Sequence, residues 1–437
     1  MKTIVRGFAW IGGAALLMAV ALVFVALRAL APKEGEWRLT LHAGPWQREA
    51  SVPVLLRWGT HPLVLPHLAG QHITTRAGLW RLDARADGSL EATCAPCRLR
   101  LAALGPLPVA IDKARITLMP RGADRYEGRL WLGANTQPVV LPWRAELKAD
   151  ALRVHAELAP TPLVQLVALF GDSIPEAAEA RIDGRFAVKI DATLDGDGLH
   201  VQRLVPQLDG VAVSGLGTDA LIDAEPGARC RPQPSAGHIE GWLPHAVIAA
   251  EDQQFMNHPG YDLDGWLAVW KHNTQDGAEL QGASTITQQL AKLLYTGDER
   301  SAVRKLREWL YAVEMERTLG KGRILQLYLS VLPWGDGICG AEAAARHHLG
   351  KPANKLTPRE AAWLASLLVN PDAQLRRWAS DEASARERTS WVLAGMRKLP
   401  RARRETEQEA LVDWQPPISR PLLREPVRRT TLTSAAP

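Results

Sequence analysis

The stretch Gly282-Ala283-Ser284-Thr285-Ile286-Thr287-Gln288-Gln289-Leu290-Ala291-Lys292 decides how the C-terminal half of the chain is read. Ser284 or Thr285 is placed to cap a helix, and the spacing that follows separates two faces. Thr285, Gln288, Gln289 and Lys292 share one side at i, i+3, i+4 and i+7, while Ile286, Leu290 and Leu293 line the other. Solvated helix faces usually carry Glu and Lys pairs rather than adjacent glutamines. An uncharged polar stripe ending in Lys292 suits contacts to sugar or phosphate.

Working outward, the apolar run from Ala246 to Ala250 leads directly into Glu251-Asp252-Gln253-Gln254-Phe255-Met256-Asn257-His258-Pro259-Gly260. A carboxylate at such a junction is partly desolvated, which raises a Glu pKa toward the working range of a general base; capping acids at an ordinary helix end are the alternative. On the other side lies Arg304-Lys305-Leu306-Arg307-Glu308. Helical spacing brings Arg304, Lys305 and Glu308 onto one flank and turns Val303, Leu306, Leu310 and Val313 toward a core. Two cations beside one carboxylate form a diphosphate site or an i, i+4 surface ion pair worth a few tenths of a kcal/mol.

These blocks are followed by Lys321-Gly322-Arg323-Ile324-Leu325-Gln326-Leu327-Tyr328-Leu329 and Gly340-Ala341-Glu342-Ala343-Ala344-Ala345. Together, and in this order, they resemble the peptidoglycan glycosyltransferase domain, glycosyltransferase family 51, over about Leu243 to Pro371. The resemblance implies a mainly α, lysozyme-like fold whose smaller lobe, about Tyr261 to Leu280, leans into the membrane through residues such as Trp266, Leu267, Val269 and Trp270. It implies Glu251 as catalytic base and Glu308 as second carboxylate. Gln288, Gln289, Lys292, Arg304 and Lys305 would hold the donor diphosphate or a neighbouring sugar, and Ser284 and Thr285 would contact glycan. Asp252, Phe255, His258, Gly260 and Gly282 would support the loops. The implied substrates are lipid II and nascent peptidoglycan, with a divalent cation, Mg or Mn, at the donor diphosphate and no organic cofactor. Leu293, Ser330 and His347-His348 depart from the family pattern without touching either carboxylate. No Ser has Lys three positions on, and no KTG or KSG occurs, so the chain resembles a monofunctional glycosyltransferase without a transpeptidase domain.

Further outward the character changes. From Trp37 to about Leu221 short alternating segments, such as Trp37, Leu39, Leu41 and Phe186, Val188, Ile190, read as strands separated by Ala86-Asp87-Gly88, Arg121-Gly122-Ala123-Asp124 and Asp195-Gly196-Asp197-Gly198. One helix is expected near Pro162 to Phe170. The Pro- and Gly-dense stretch from Glu225 to Pro234 reads as a linker. At the N-terminus, Gly7 through Leu27 carries no charged side chain, a run of the length, about 20 residues, that spans a bilayer as helix. Ala29-Leu30-Ala31 offers the alternative of a signal-peptide cleavage site.

The expected organisation is therefore multidomain: a cytoplasmic N-terminus over 1–7, an N-terminal transmembrane helix over 8–31, a β-rich extracytoplasmic domain over 36–223 and a linker over 224–241. A glycosyltransferase domain over 242–400 and a basic, Pro-containing, disordered tail over 401–437 follow. A single pass through the bacterial cytoplasmic membrane places the catalytic domain on the periplasmic side. With 437 residues, 52 Lys plus Arg and 47 Asp plus Glu, a net charge of +5 is too mild for a nucleic-acid scaffold. Membrane lipid fits, and the β-rich domain is expected to act as a spacer or to recruit cell-wall synthesis proteins. Cys94, Cys97, Cys230 and Cys339 permit two disulfides in an oxidising compartment, Cys230 with Cys339 among the options; Cys94-Ala95-Pro96-Cys97 reads as a local disulfide or half a metal site. The leading rival to an enzyme is an envelope scaffold that keeps the glycan-binding fold.

Overall fold

The computed structural model describes residues 28, 30–43, 46–75, 77–99, 109–122, 124–133, 136–223, 240–274, 282–299 and 301–415. The chain divides into two compact units, Met1–Ala212 and Val213–Pro437. Nearly all of the expected anchor over 8–31 and of the linker over 224–241 lies outside the described residues, as does Cys230. No helix among the described residues is long and apolar enough to cross a membrane.

The first unit is built on antiparallel strands. Strands β1 (Arg38–Ala43) and β2 (Trp46–Ser51) form a hairpin, followed by helices α1 (Val52–Gly59) and α2 (Leu65–Leu68). Next come β3 (His72–Thr75), β4 (Gly78–Ala84), β5 (Leu90–Cys94), the hairpin of β6 (Cys97–Leu99) with β7 (Val109–Ile111), and β8 (Ala114–Pro120). Then β9 (Arg125–Leu132), β10 (Val139–Leu147), β11 (Leu152–Pro162), β12 (Arg181–Leu194) and β13 (Leu199–Ser214) complete a nine-stranded sheet in the order β13-β12-β11-β10-β9-β8-β5-β4-β3. Side chains alternate across such a sheet. One face is apolar, with Tyr126, Ala145, Leu147 and Leu152 in one cluster and Val139, Leu158 and Val188 in another. The opposite face is polar. Helix α3 (Leu163–Ala168) lies within the stretch expected to be helical and buries Leu163 and Val167, and α4 (Glu176–Glu179) follows it. Cys94 and Cys97 form a disulfide, which excludes the half-metal-site reading.

The second unit is helical from α5 (Leu243–Glu251) onward. It continues through α6 (Leu263–Asn273), α7 (Ile286–Ala291), a π-helical turn (Lys292–Thr296), α8 (Ala302–Thr318) and α9 (Gly320–Val331). Helices α10 (Ala341–Leu349), α11 (Pro358–Ser366), α12 (Pro371–Trp378), α13 (Glu382–Gly395) and α14 (Arg401–Glu409) complete it. One core gathers Leu243, Phe255, Ile286, Leu290, Tyr328, Trp334, Trp363 and Trp378. Cys339 is disulfide-bonded.

Two expectations need correction. The division into units falls ahead of the expected linker, because residues 213–223 belong with the helices. Buried Glu314 accepts the Gly215 and Leu216 amides at 2.9 and 3.1 Å, Thr218 bonds Thr318, and Leu221 joins the helical core. The basic tail is ordered at its start. Helix α14 has almost no apolar periodicity to read, and polar contacts hold it: Arg359 with Glu407 at 3.0 Å and Gln408 with Ser390. Beyond it Leu411 is buried and Trp414 packs on the core; residues 416–437 lie outside the described residues.

Candidate active site

Helix α7 starts where the sequence places it, with Thr285 rather than Ser284 as the cap. The Thr285 hydroxyl accepts the Gln288 amide, and the Gln288 side-chain oxygen accepts the Thr285 amide at 3.1 Å, a reciprocal capping box. Thr285 is buried and its hydroxyl donates to the Gly260 carbonyl at 2.7 Å, so the polar atoms of Thr285 and one arm of Gln288 serve the helix start. Ile286 and Leu290 are fully buried on the opposite side, as the two-face spacing requires.

The first carboxylate, Glu251, ends α5. Its Oε2 accepts from Gln289 Nε2 at 2.9 Å, and the Gln289 oxygen accepts from the hydroxyl of Tyr328 at 2.7 Å. Tyr328 on α9 is fully buried and its hydroxyl is held well above its ordinary pKa by desolvation and by the nearby Glu251 and Asp252, so it donates and does not ionise. That fixes which end of the Gln289 amide faces Glu251. Burial raises the Glu251 pKa; the Gln289 hydrogen bond and the charge of Arg388 oppose the rise, and Asp252 adds to it. Arg388, on α13, is itself lowered by burial and lies 4.2 Å over the Trp391 ring.

The loop behind Glu251 is rigid for identifiable reasons. Asp252 is buried and takes two donors, the Ile286 amide at 2.9 Å and His258 Nε2 at 2.9 Å, and His258 Nδ1 accepts the Gly260 amide at 3.2 Å. This pattern fits a neutral imidazole carrying its proton on Nε2. Gly260 has φ +88°, and a Cβ there would lie 2.8 Å from the Ala312 carbonyl oxygen, so glycine is required twice over. Lys321 closes the loop from α9: its ammonium donates to the His258 carbonyl and to Glu316, each at 2.7 Å, and lies 4.4 Å from the Phe255 ring. Thr287 donates to the same Glu316 at 2.6 Å. Gly282 has open space around it.

The second carboxylate, Glu308 on α8, is fully buried between two cations. Arg304 pairs with its Oε1, and Lys305 Nζ lies 2.8 Å from Oε2, an ion-pair contact without hydrogen-bond alignment. Lys305 also donates to the Ser284 hydroxyl at 2.5 Å. Desolvation first, then repulsion from Arg304 and Lys292, lowers the Lys305 pKa to about 8; with 45% of the side chain still exposed, water offsets part of that effect. Lys292 begins the π-helical turn and pairs with Asp298 at 2.9 Å. Ser284, Lys292, Arg304 and Lys305 thus converge from α7, its preceding loop and α8 on one cationic region. Among the described residues no group of three or more His, Cys, Asp or Glu side chains is arranged to hold a metal ion, and Glu308 is already engaged by its cations.

The sequence reading placed Glu251, Gln289, Lys305 and Glu308 in the site, and the structure assigns each a partner. It missed Tyr328, Thr287, Glu316, Lys321 and Arg388 as members of the site. Thr287, Lys321 and Tyr328 lie inside the motif segments, so their signal was present; Glu316 and Arg388 had none beyond being charged residues in helical segments.

Residues 222–397 match the family model described as Transglycosylase. Among curated proteins, a biosynthetic peptidoglycan transglycosylase of Azoarcus sp. (strain BH72) is 40% identical over 197 residues, covering 42% of this chain and 82% of the relative. One of Nitrosomonas eutropha is 47% identical over 133 residues, covering 30% of this chain and 54% of the relative. One of Shigella boydii serotype 4 is 43% identical over 166 residues, covering 38% and 67%. The chain therefore spans about half the length of the Nitrosomonas relative and most of the Azoarcus one.

Proposed function

The chain belongs to the peptidoglycan transglycosylase family, and on that premise we propose that it polymerises lipid II into β-1,4-linked glycan strands with inversion and release of undecaprenyl diphosphate. One observation carries the assignment of roles: Glu251 is a desolvated carboxylate with a raised pKa, held by a single neutral donor, Gln289. Such a group is a competent base, because neither a tight ion pair nor several donors stabilise its anion. Glu251 takes the proton of the acceptor 4-hydroxyl as that oxygen bonds to donor C1. The bond from C1 to the diphosphate oxygen breaks, and the diphosphate leaves with the electron pair.

Charge on the leaving group is met by Lys292, Arg304 and Lys305, with Ser284 beside Lys305. Glu308 is a positioning residue: it neutralises and aligns Arg304 and Lys305 before substrate arrives. The polyanion also favours the protonated form of Lys305, whose pKa is lowered to about 8. A divalent cation, Mg or Mn, would be held mainly by the donor diphosphate and would help neutralise it, since among the described residues no group of three or more His, Cys, Asp or Glu side chains is arranged to bind one.

Membrane attachment belongs to the same proposal. Gly7 through Leu27 would anchor the chain and leave the helical unit on the periplasmic side. Helix α6 has no buried residue, and its partly exposed Trp266, Leu267, Val269 and Trp270 suit contact with acyl chains.

The test is polymer formation by the full chain from purified lipid II in detergent, with Mg²⁺, Mn²⁺ and chelator compared in parallel. Glycan strands and released polyprenyl diphosphate are the expected products. A well-folded protein giving no polymer under any of these conditions, or releasing anhydro-sugar ends from preformed glycan, would overturn the reading.

A further inference from the structure

The polar face of the nine-stranded sheet carries a depression of about 650 Å³ lined by residues of β8, β9, β10 and β11. Every acid in its lining is already engaged: Asp87 accepts from Ser89 at 2.6 Å, Glu127 pairs with Arg121 at 2.6 Å, and Glu157 pairs with Lys189 at 3.1 Å. Arg85 pairs with Glu91, and His155 with Asp191. What remains is cationic. Arg115, Arg129 and Arg144 line the depression with no carboxylate partner among the described residues, and Arg115 lies 4.2 Å over the Trp131 ring.

Their spacing follows from strand register. Arg115 on β8 faces Trp131 on β9, Arg129 on β9 faces Pro142 on β10, and Arg144 on β10 faces His155 on β11. Each arginine is thus one strand across and two residues along from the last. With strands about 4.8 Å apart and same-face residues about 6.8 Å apart, the diagonal step is about 8 Å. A regular diagonal of guanidinium forks reads as a receiver for carboxylates repeated along a chain, since the planar fork matches a carboxylate bidentately.

We propose that this sheet face binds an anionic glycan strand bearing carboxylates on peptide stems, the polymer the helical unit is proposed to make; the choice of polymer rests on that reading. Trp131 offers a flat indole for the apolar face of a sugar ring, and the guanidiniums take the stem carboxylates. A lipid surface is met by an amphipathic element with a continuous apolar side, which this face does not present.

The experiment is co-sedimentation of the full chain in detergent with uncrosslinked glycan strands prepared from another source. Stem-free strands and vesicles of phosphatidylglycerol serve as the other two probes. Wild type is expected to bind stem-bearing strands at least ten-fold more tightly than stem-free ones, with affinity falling as salt rises. Arg115→Ser/Arg129→Ser/Arg144→Ser is expected to lose at least ten-fold, while the triple Lys variant, which keeps the charge but not the planar fork, is expected to fall between wild type and the Ser variant and controls for folding. Unchanged binding by the triple Ser variant, equal binding of stem-free strands, or preference for vesicles would overturn the proposal. Because the strands are preformed, binding is read without turnover. Strand binding by a wild type that makes no polymer would sink the catalytic reading and leave this one standing.

Discussion

Two glutamates of the helical unit, Glu251 and Glu308, are withdrawn from water and treated in opposite ways. Glu251 meets one neutral donor and an environment that raises its pKa. Glu308 is more deeply buried yet sits between Arg304 and Lys305. Burial alone therefore does not mark a base. A desolvated carboxylate without an ion-pair contact keeps its affinity for a proton, whereas one clamped by two cations becomes a fixed counter-charge that aligns them. The comparison assigns proton transfer to Glu251 and charge placement to Glu308.

The largest difference between the two glutamates is expected in rate. Glu251→Gln keeps the shape and the contact to Gln289 but removes the base, and lipid II polymerisation should fall by about 10²–10⁴-fold at unchanged fold. A residual rate near wild type would move the base elsewhere. Glu308→Gln should instead register in stability: removing the buried partner of two cations costs roughly 3 kcal/mol, read from the denaturant midpoint, with a rate loss that follows weaker diphosphate binding. If Glu308→Gln unfolds at the wild-type midpoint, the clamp is not structural and the contrast loses one side.

Gly260→Ala probes the loop that holds Glu251 in place. Its positive φ and the 2.8 Å approach to the Ala312 oxygen should cost about 1–3 kcal/mol and loosen the Asp252–His258 pair, seen as lower thermal stability together with a reduced rate. Wild-type stability in this variant would show that the loop relaxes freely.

The smallest effect is diagnostic of electrostatics alone. Glu251 has a folded-state pKa raised above its unfolded value, so the native state binds the extra proton. Its contribution to stability is full below the unfolded pKa and is lost as pH rises through the folded one. Glu251→Gln should therefore be more stable than wild type near neutral pH, with the advantage shrinking as pH falls from the raised folded pKa toward the unfolded Glu range and gone below it. Thermal melts of the two proteins across that window decide it; a gap that widens toward acid would reverse the sign and the assignment.

Much of the site was legible because its parts are local. A Thr followed three positions later by Gln specifies a capping box, and an apolar run ending in Glu251 specifies a desolvated carboxylate. RKLRE places Arg304, Lys305 and Glu308 on one helical flank by spacing alone. Tyr328, Glu316, Lys321 and Arg388 were not legible as partners, because each reaches the site from another helix and nothing in its own neighbourhood says which carboxylate or carbonyl it meets. Helix α14 was missed for the converse reason: it is polar all round, so periodicity could not announce it, and Glu407 and Gln408 find their partners only after folding.

The sheet unit divides along the same line. Its turns at Gly88, Asp124 and Gly198 and its alternating strands are written in the order of residues, since period-two patterning and positive-φ positions are properties of a few neighbouring residues. That nine strands form one sheet in the order β13-β12-β11-β10-β9-β8-β5-β4-β3, and that this register lines up Arg115, Arg129 and Arg144 on one diagonal, came only with tertiary structure. The same holds for the two glutamates. Sequence alone determined that both lie on helices beside the right residue types; only packing decided which one would be desolvated without an ion-pair contact and which would be clamped, because a pKa depends on everything within a few ångströms, however distant along the chain.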